Sequence, residues 1–165
     1  MSAYRLIPMS LVTLLIIGLD QMTKFIVVRS MEEGESIPVL GEFLKITSHR
    51  NSGAAWGMFQ NQMLFFYIVT IIVLVILVYV YIKEAKNNLL LQVAIAALLA
   101  GSLGNFIDRI FFREVVDFVD VLIISYDFPI FNVADSALTI GVILMIVEVF
   151  ILGKGENDAG NESDK

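Results

Sequence analysis

Two carboxylates stand where a carboxylate is expensive. Asp135 closes the run Phe131-Asn132-Val133-Ala134-Asp135, directly ahead of the apolar stretch 136–152. An ionisable group in that setting costs roughly 2.5 to 3.5 kcal/mol on insertion scales, so it is a functional-site candidate by default. Asp117, in Val115-Val116-Asp117-Phe118, is the second. Two carboxylates close enough to interact do not both ionise readily; one keeps a proton while the other acts as base, the arrangement by which aspartic proteases activate water. Spacing alone does not bring Asp117 and Asp135 together, so the rest of the chain has to supply the positioning.

Little other chemistry is on offer. The chain has no cysteine, which removes disulfides, thiolate metal sites and a cysteine nucleophile together, and its one histidine is His49. A Ser/His/Asp triad would rest on that residue in a segment with no nucleophile-elbow pattern. Zinc hydrolysis lacks its His-Glu-x-x-His signature. A Ser/Lys dyad built on Lys24 stays open, and so does a different class, a small transporter or ion-coupled carrier using intramembrane Asp, Asn and Lys. A transport path needs polar groups through the midplane and is commonly built from internal repeats, and no repeat is visible here.

The composition excludes an ordinary soluble domain. Hydrophobic residues make up 58% of the 165, and several runs approach the roughly 20 residues that cross a bilayer. The formal charge of -6 comes in part from the polar tail 154–165, which holds four acidic residues against two lysines and is expected to be disordered. There is no basic stripe with interleaved aromatics, so no nucleic-acid partner is expected.

These features predict an all-α membrane protein, a bundle of four transmembrane helices over about 6–28, 63–82, 89–107 and 131–152, together forming one domain over 1–153. Pro8 falls in the first turn of the first span, where its missing amide proton costs little. That span runs into Asp20-Gln21-Met22-Thr23-Lys24 with no small-residue cleavage site, which favours a retained helix over a signal peptide. Asp20 and Lys24, four residues apart, share a helical face and read equally as an anchoring ion pair or as part of a site. Segment 29–62 mixes β-branched residues with Pro38 and Gly41 and reads as a small extramembrane β element. It ends in Asn51-Ser52-Gly53-Ala54-Ala55-Trp56, whose indole suits a membrane interface. The third span is rich in Ala and Gly, which lets neighbouring helices approach closely, and it closes on Asn105, Asp108 and Arg109. Segment 110–130, which carries Asp117, is expected to be a long loop on the active-site side.

Four consecutive spans alternate in direction. The end of the first, the end of the third and the start of the fourth therefore emerge on one side, and those are the places that hold Asp20 and Lys24, Asn105 to Arg109, and Asn132 and Asp135. Structural polar residues would have no reason to sort in this way, whereas a site assembled between helix ends requires it. Charge bias does not say which side that is: Arg5, Lys83, Lys86 and Lys154 lie on the side of the termini, and Arg29, Lys45, Arg50, Arg109 and Arg113 on the other.

Five blocks, in order, carry a resemblance: Asp20-Gln21-x-Thr23-Lys24; Asn51-x-Gly53-Ala54-Ala55-Trp56; Gly101-x-x-Gly104-Asn105-x-Ile107-Asp108-Arg109; Val115-Val116-Asp117-Phe118; and Phe131-Asn132-x-Ala134-Asp135. On them the chain resembles the bacterial lipoprotein signal peptidases, also called signal peptidase II, over nearly its whole length. The resemblance implies that Asp117 and Asp135 are the catalytic pair. It implies too that Asp20, Lys24, Asn51, Gly53, Asn105, Arg109, Asn132 and Ala134 bind substrate or support the site, with Asp108 in structural support. No metal and no cofactor is implied. The implied substrate is a lipidated prolipoprotein, cut on the amino side of its diacylglyceryl cysteine. The expected setting is a monomer among the lipids of the bacterial plasma membrane, with cytoplasmic termini and a site toward the outer leaflet.

Overall fold

A computed structural model describes residues 4–152; the tail 154–165 lies outside the described residues. Four helices are long and apolar enough to cross a membrane: α1 (Leu6–Ser30), α2 (Met63–Glu84), α3 (Leu89–Phe112) and α4 (Val133–Ile146), the last continued by a π-helical stretch, Val147–Leu152. Their burial is uneven. In the most apolar window of α3, 61% of residues are buried, against 17% in each of the others, so α3 is the central helix and α1, α2 and α4 turn most of their surface to lipid. Asn88 caps α3, its side chain accepting from the Leu91 amide.

The α3–α4 contact is made by glycine. A Cβ on Gly101 would lie 2.4 Å from the Ala134 carbonyl oxygen, and one on Gly141 would lie 2.7 Å from Leu98 Cγ. Close backbone approach of this kind is what small residues provide where lipid offers no hydrophobic drive for association. Away from the polar end, Leu77, Ala85, Leu91, Ile95 and Leu98 pack α2 against α3.

The extramembrane part is a four-stranded antiparallel sheet in the order β1 (Ser36–Leu40), β2 (Leu44–Asn51), β3 (Val115–Ile123) and β4 (Tyr126–Asp127). The β element expected over 29–62 supplies only half of it. Segment 110–130 is not a loop: α3 continues to Phe112, Arg113 turns in the left-handed region (φ 62°), and β3 then pairs along β2. The β-branched run Val115-Val116 and Val119 suits a strand. Its burial hides the usual alternation, because residues 115 to 118 are all buried. Val116 and Phe118 pack with Val27 of α1 and fix the sheet on the end of the bundle. The helix ends at Ser30 and Phe112 and the helix start at Val133 open on the same side as the sheet, as their alternation in direction demands.

Candidate active site

The site is built around the head of α4. Asn132 is its N-cap: the side-chain oxygen accepts from the Asp135 amide at 2.9 Å, while Asp135 Oδ2 accepts from the Asn132 amide at 3.2 Å, a reciprocal capping box. The Ala134 amide, another of the unsatisfied donors of the first turn, gives its proton to Asp20 Oδ1 of α1 at 2.8 Å. Ala134 is fully buried, and Gly104 of α3 makes room for it: a Cβ there would meet Asp20 Oδ2 at 2.8 Å and Ala134 Cβ at 3.0 Å.

Asp135 and Asp117 line one groove, and each carboxylate oxygen receives a single neutral N–H donor. Asp135 Oδ1 takes Asn105 Nδ2 at 2.7 Å and Oδ2 takes the Asn132 amide. Asp117 Oδ1 takes Asn132 Nδ2 at 2.7 Å, and Oδ2 takes Asn51 Nδ2 at 2.9 Å. Asn132 thus touches both acids, joining Asp117 through its side-chain amide and Asp135 through its backbone. Burial, then the charge of Asp135, pushes the Asp117 carboxyl up to about 7 against the hydrogen bonds from Asn51 and Asn132, which pull it down.

The buried cation stands one shell back. Lys24 Nζ, 3% exposed as a residue, lies 2.8 Å from Asp20 Oδ2 and 2.9 Å from Asp108 Oδ2, and donates to Asn105 Oδ1 at 3.1 Å. Its three protons are accounted for, and the Asn105 carbonyl, which also accepts from Asn132 Nδ2, is held so that the Asn105 amide faces Asp135. Asp108 also accepts from the Val116 amide at 3.3 Å, next to Asp117, and from Gln21 Nε2 at 2.8 Å. The Asp20–Lys24 pair therefore does not simply anchor a helix at an interface; with Asp108 it ties α1 to α3, to the head of α4 and to the start of β3.

Arg109 closes the rim. It donates through Nη2 to the Gly53 carbonyl at 3.0 Å and lies 4.4 Å over the Phe66 ring, while its Nε is buried with no hydrogen-bond partner. Asn51 Oδ1 accepts from the Gly53 amide, and a Cβ on Gly53 would sit 2.5 Å from the Met58 carbonyl. His49 pairs opposite Asp117 in the β2–β3 register, but its residue is exposed, so the sheet gives no support to a serine–histidine triad. Lys24, enclosed by carboxylates, is equally ill placed to serve as a free base.

Some contributors had no role assigned from sequence. Gln21 bridges Asp20, Asp108 and the Gly104 carbonyl; a glutamine inside an apolar span is itself costly and was the available signal. Tyr67 donates to the Arg109 carbonyl at 2.8 Å, and Trp56, expected only as an interfacial indole, donates through Nε1 to the Tyr126 hydroxyl at 3.1 Å. The groove has a volume of about 740 Å³, runs between α2 and α4 over α3, and is mostly apolar beneath its carboxylate end.

The family model described as signal peptidase (SPase) II matches residues 12–151. The chain belongs to the signal peptidase II family. It is 54% identical over 155 residues to a Staphylococcus aureus protein named lipoprotein signal peptidase, covering 94% of this chain and 91% of that one. It is 60% identical over 136 residues to a Staphylococcus carnosus protein of the same name, covering 82% and 86%. Among solved structures, a bacterial membrane enzyme determined by the in meso method at 2.3 Å superposes with a TM-score of 0.88 at 52% identity, covering 94% of each chain. A second, at 1.9 Å, gives 0.85 at 53% identity, covering 91% of this chain and 97% of that one. Membership makes this signal peptidase II chain an aspartic-type peptidase and a multi-pass bacterial membrane protein.

Proposed function

We propose that this signal peptidase II cleaves prolipoproteins on the amino side of a diacylglyceryl cysteine, with Asp117 and Asp135 as the catalytic pair. The observation that carries the assignment is the donor pattern on the two acids: each carboxylate oxygen takes one amide N–H, and neither acid is bound to a cation. Lys24 is spent on Asp20 and Asp108, and Arg109 on the Gly53 carbonyl. Neither cation touches the pair directly, and with burial outweighing their pull an Asp117 carboxyl pushed up to about 7 can keep a proton near neutral pH.

In the reaction, one acid stays protonated and the other removes a proton from a water bound between them. The water oxygen adds to the scissile carbonyl carbon as the protonated acid hydrogen-bonds the developing oxyanion. Collapse of the tetrahedral adduct breaks the C–N bond, and the acid that took the proton returns it to the leaving amine. Asn51, Asn105 and Asn132 keep the carboxylates in place throughout, which is the advantage of a preorganised site. Asp20, Lys24 and Asp108 hold those amides and the head of α4, while Gly53, Arg109 and Ala134 shape the rim and the helix contact.

The apolar groove between α2 and α4 suits a lipidated substrate, whose acyl chains stay in the leaflet while the scissile bond reaches the sheet side. Asp117→Asn and Asp135→Asn should each lower cleavage of a lipidated prolipoprotein peptide by at least about a thousandfold, the scale on which members of a catalytic unit fail, while circular dichroism and elution volume stay unchanged. Turnover within tenfold of the parent in either variant would overturn the pair.

A further inference from the structure

A signal peptide enters such a site from within the membrane as a helix, and the last four carbonyls of any helix lack an internal partner. Water can satisfy them at a surface; in a hydrocarbon groove protein must do so. The bond to be cut has to leave the helix to reach the carboxylates, so the helix ends beneath Asp117 and Asp135.

Two hydroxyls occupy that level. Ser102 lies one turn below Asn105 on α3, and Thr70 lies one turn below Tyr67 on α2; both line the groove, among the apolar Val69, Val73 and Leu138. Their neighbours on α4 are already committed: Thr139 donates to the Asp135 carbonyl at 2.9 Å and Ser136 to the Asn132 carbonyl at 2.9 Å. A serine or threonine inside a helix commonly returns its proton to a carbonyl a turn earlier. The hydroxyls of Ser102 and Thr70 have no hydrogen-bond partner among the described residues. They are spare O–H donors in a place where lipid contact alone would favour alanine and valine.

Resting on the reading of this groove as the prolipoprotein site, we propose that Ser102 and Thr70 donate to the terminal backbone carbonyls of the signal helix and so hold its end at the depth from which the scissile bond reaches the two aspartates. They are positioning residues: they act on the substrate backbone and take no part in bond making, so they read the presence of a helix and not its side chains.

The test pairs two substrates carrying the same diacylglyceryl cysteine, one with its full apolar helix and one cut back to the few residues flanking the scissile bond. In Ser102→Ala/Thr70→Val, kcat/KM for the long substrate should fall roughly three- to tenfold relative to that for the short one, the scale of one or two unmade hydrogen bonds. Ser102→Thr/Thr70→Ser, which keeps both hydroxyls, should preserve the parent ratio. An equal loss on both substrates, no loss on either, or a changed ratio in the hydroxyl-keeping variant would overturn the proposal. If the parent enzyme itself left both substrates uncut, the prolipoprotein reading would fail instead, and the two failures are distinct.

Discussion

Asn132 does with one residue what would otherwise take several. Its carbonyl oxygen caps α4, its backbone amide holds Asp135, and its side-chain amide holds Asp117. Asparagine offers a donor and an acceptor on one short, planar group that does not titrate. Burial acts on Asp117 against that hydrogen bond, and the net effect is measurable through stability. Its folded-state value of about 7 lies above the ordinary 3.8, so the stability it contributes is fully present below the ordinary value and is lost as pH rises through about 7. Asp117→Asn, which binds no proton, should therefore gain on the parent between about pH 5 and 8, by on the order of 1 to 3 kcal/mol. Thermal unfolding in detergent across that range checks this, and a difference constant with pH would mean that Asp117 is not held protonated. Asp135 stood out in the sequence because a carboxylate beside an apolar run demands a reason, whereas Asp117 was joined to it by the family resemblance. The asparagine wiring was not legible, since an amide's partners depend on which end of it faces which acid.

At the scale of the element, α4 is placed by its backbone. Its head is held by Asp20 and capped by Asn132, and its first turns lie against Gly101 and Gly104 with no space for a methyl group. Gly101→Ala would set a Cβ 2.4 Å from the Ala134 carbonyl oxygen, which is backbone and cannot rotate away. The expected outcome is a loss of about 1 to 3 kcal/mol, the usual cost of overpacking, with a more than tenfold fall in activity as Asp135 shifts with its helix. Gly18→Ala is the control, because nothing lies within 4 Å of the Cβ it would add, and it should leave melting temperature and turnover near those of the parent. The small residues of α3 announced close packing in the sequence, but not which helix would come close. β3 was missed as a strand for a related reason: covered on both faces, it lacks the alternation by which strands are read.

For the whole molecule, the arrangement of the polar groups is legible before the arrangement in the cell. The sorting of Asp20, Lys24, Asn105, Asp108, Arg109, Asn132 and Asp135 to one end follows from counting spans, whereas the charge balance that orients them looked even. The structure explains part of that evenness. Arg109 is committed to the Gly53 carbonyl and the Phe66 ring, Arg50 lies 3.8 Å from Glu114, and Lys45 is paired with Glu42 at 2.6 Å. Counting Lys and Arg does not orient the chain, and the expected orientation, with cytoplasmic termini, is a matter for experiment. The absence of cysteine from the sequence makes this direct to measure. Glu33→Cys places a thiol in the exposed turn before β1, and Lys86→Cys places one in the exposed α2–α3 connection. In intact cells whose outer surface is accessible, a membrane-impermeant maleimide should label the first variant and not the second, and opening the cells should expose both. Labelling of Lys86→Cys alone in intact cells would invert the protein and put the aspartate groove on the cytoplasmic leaflet.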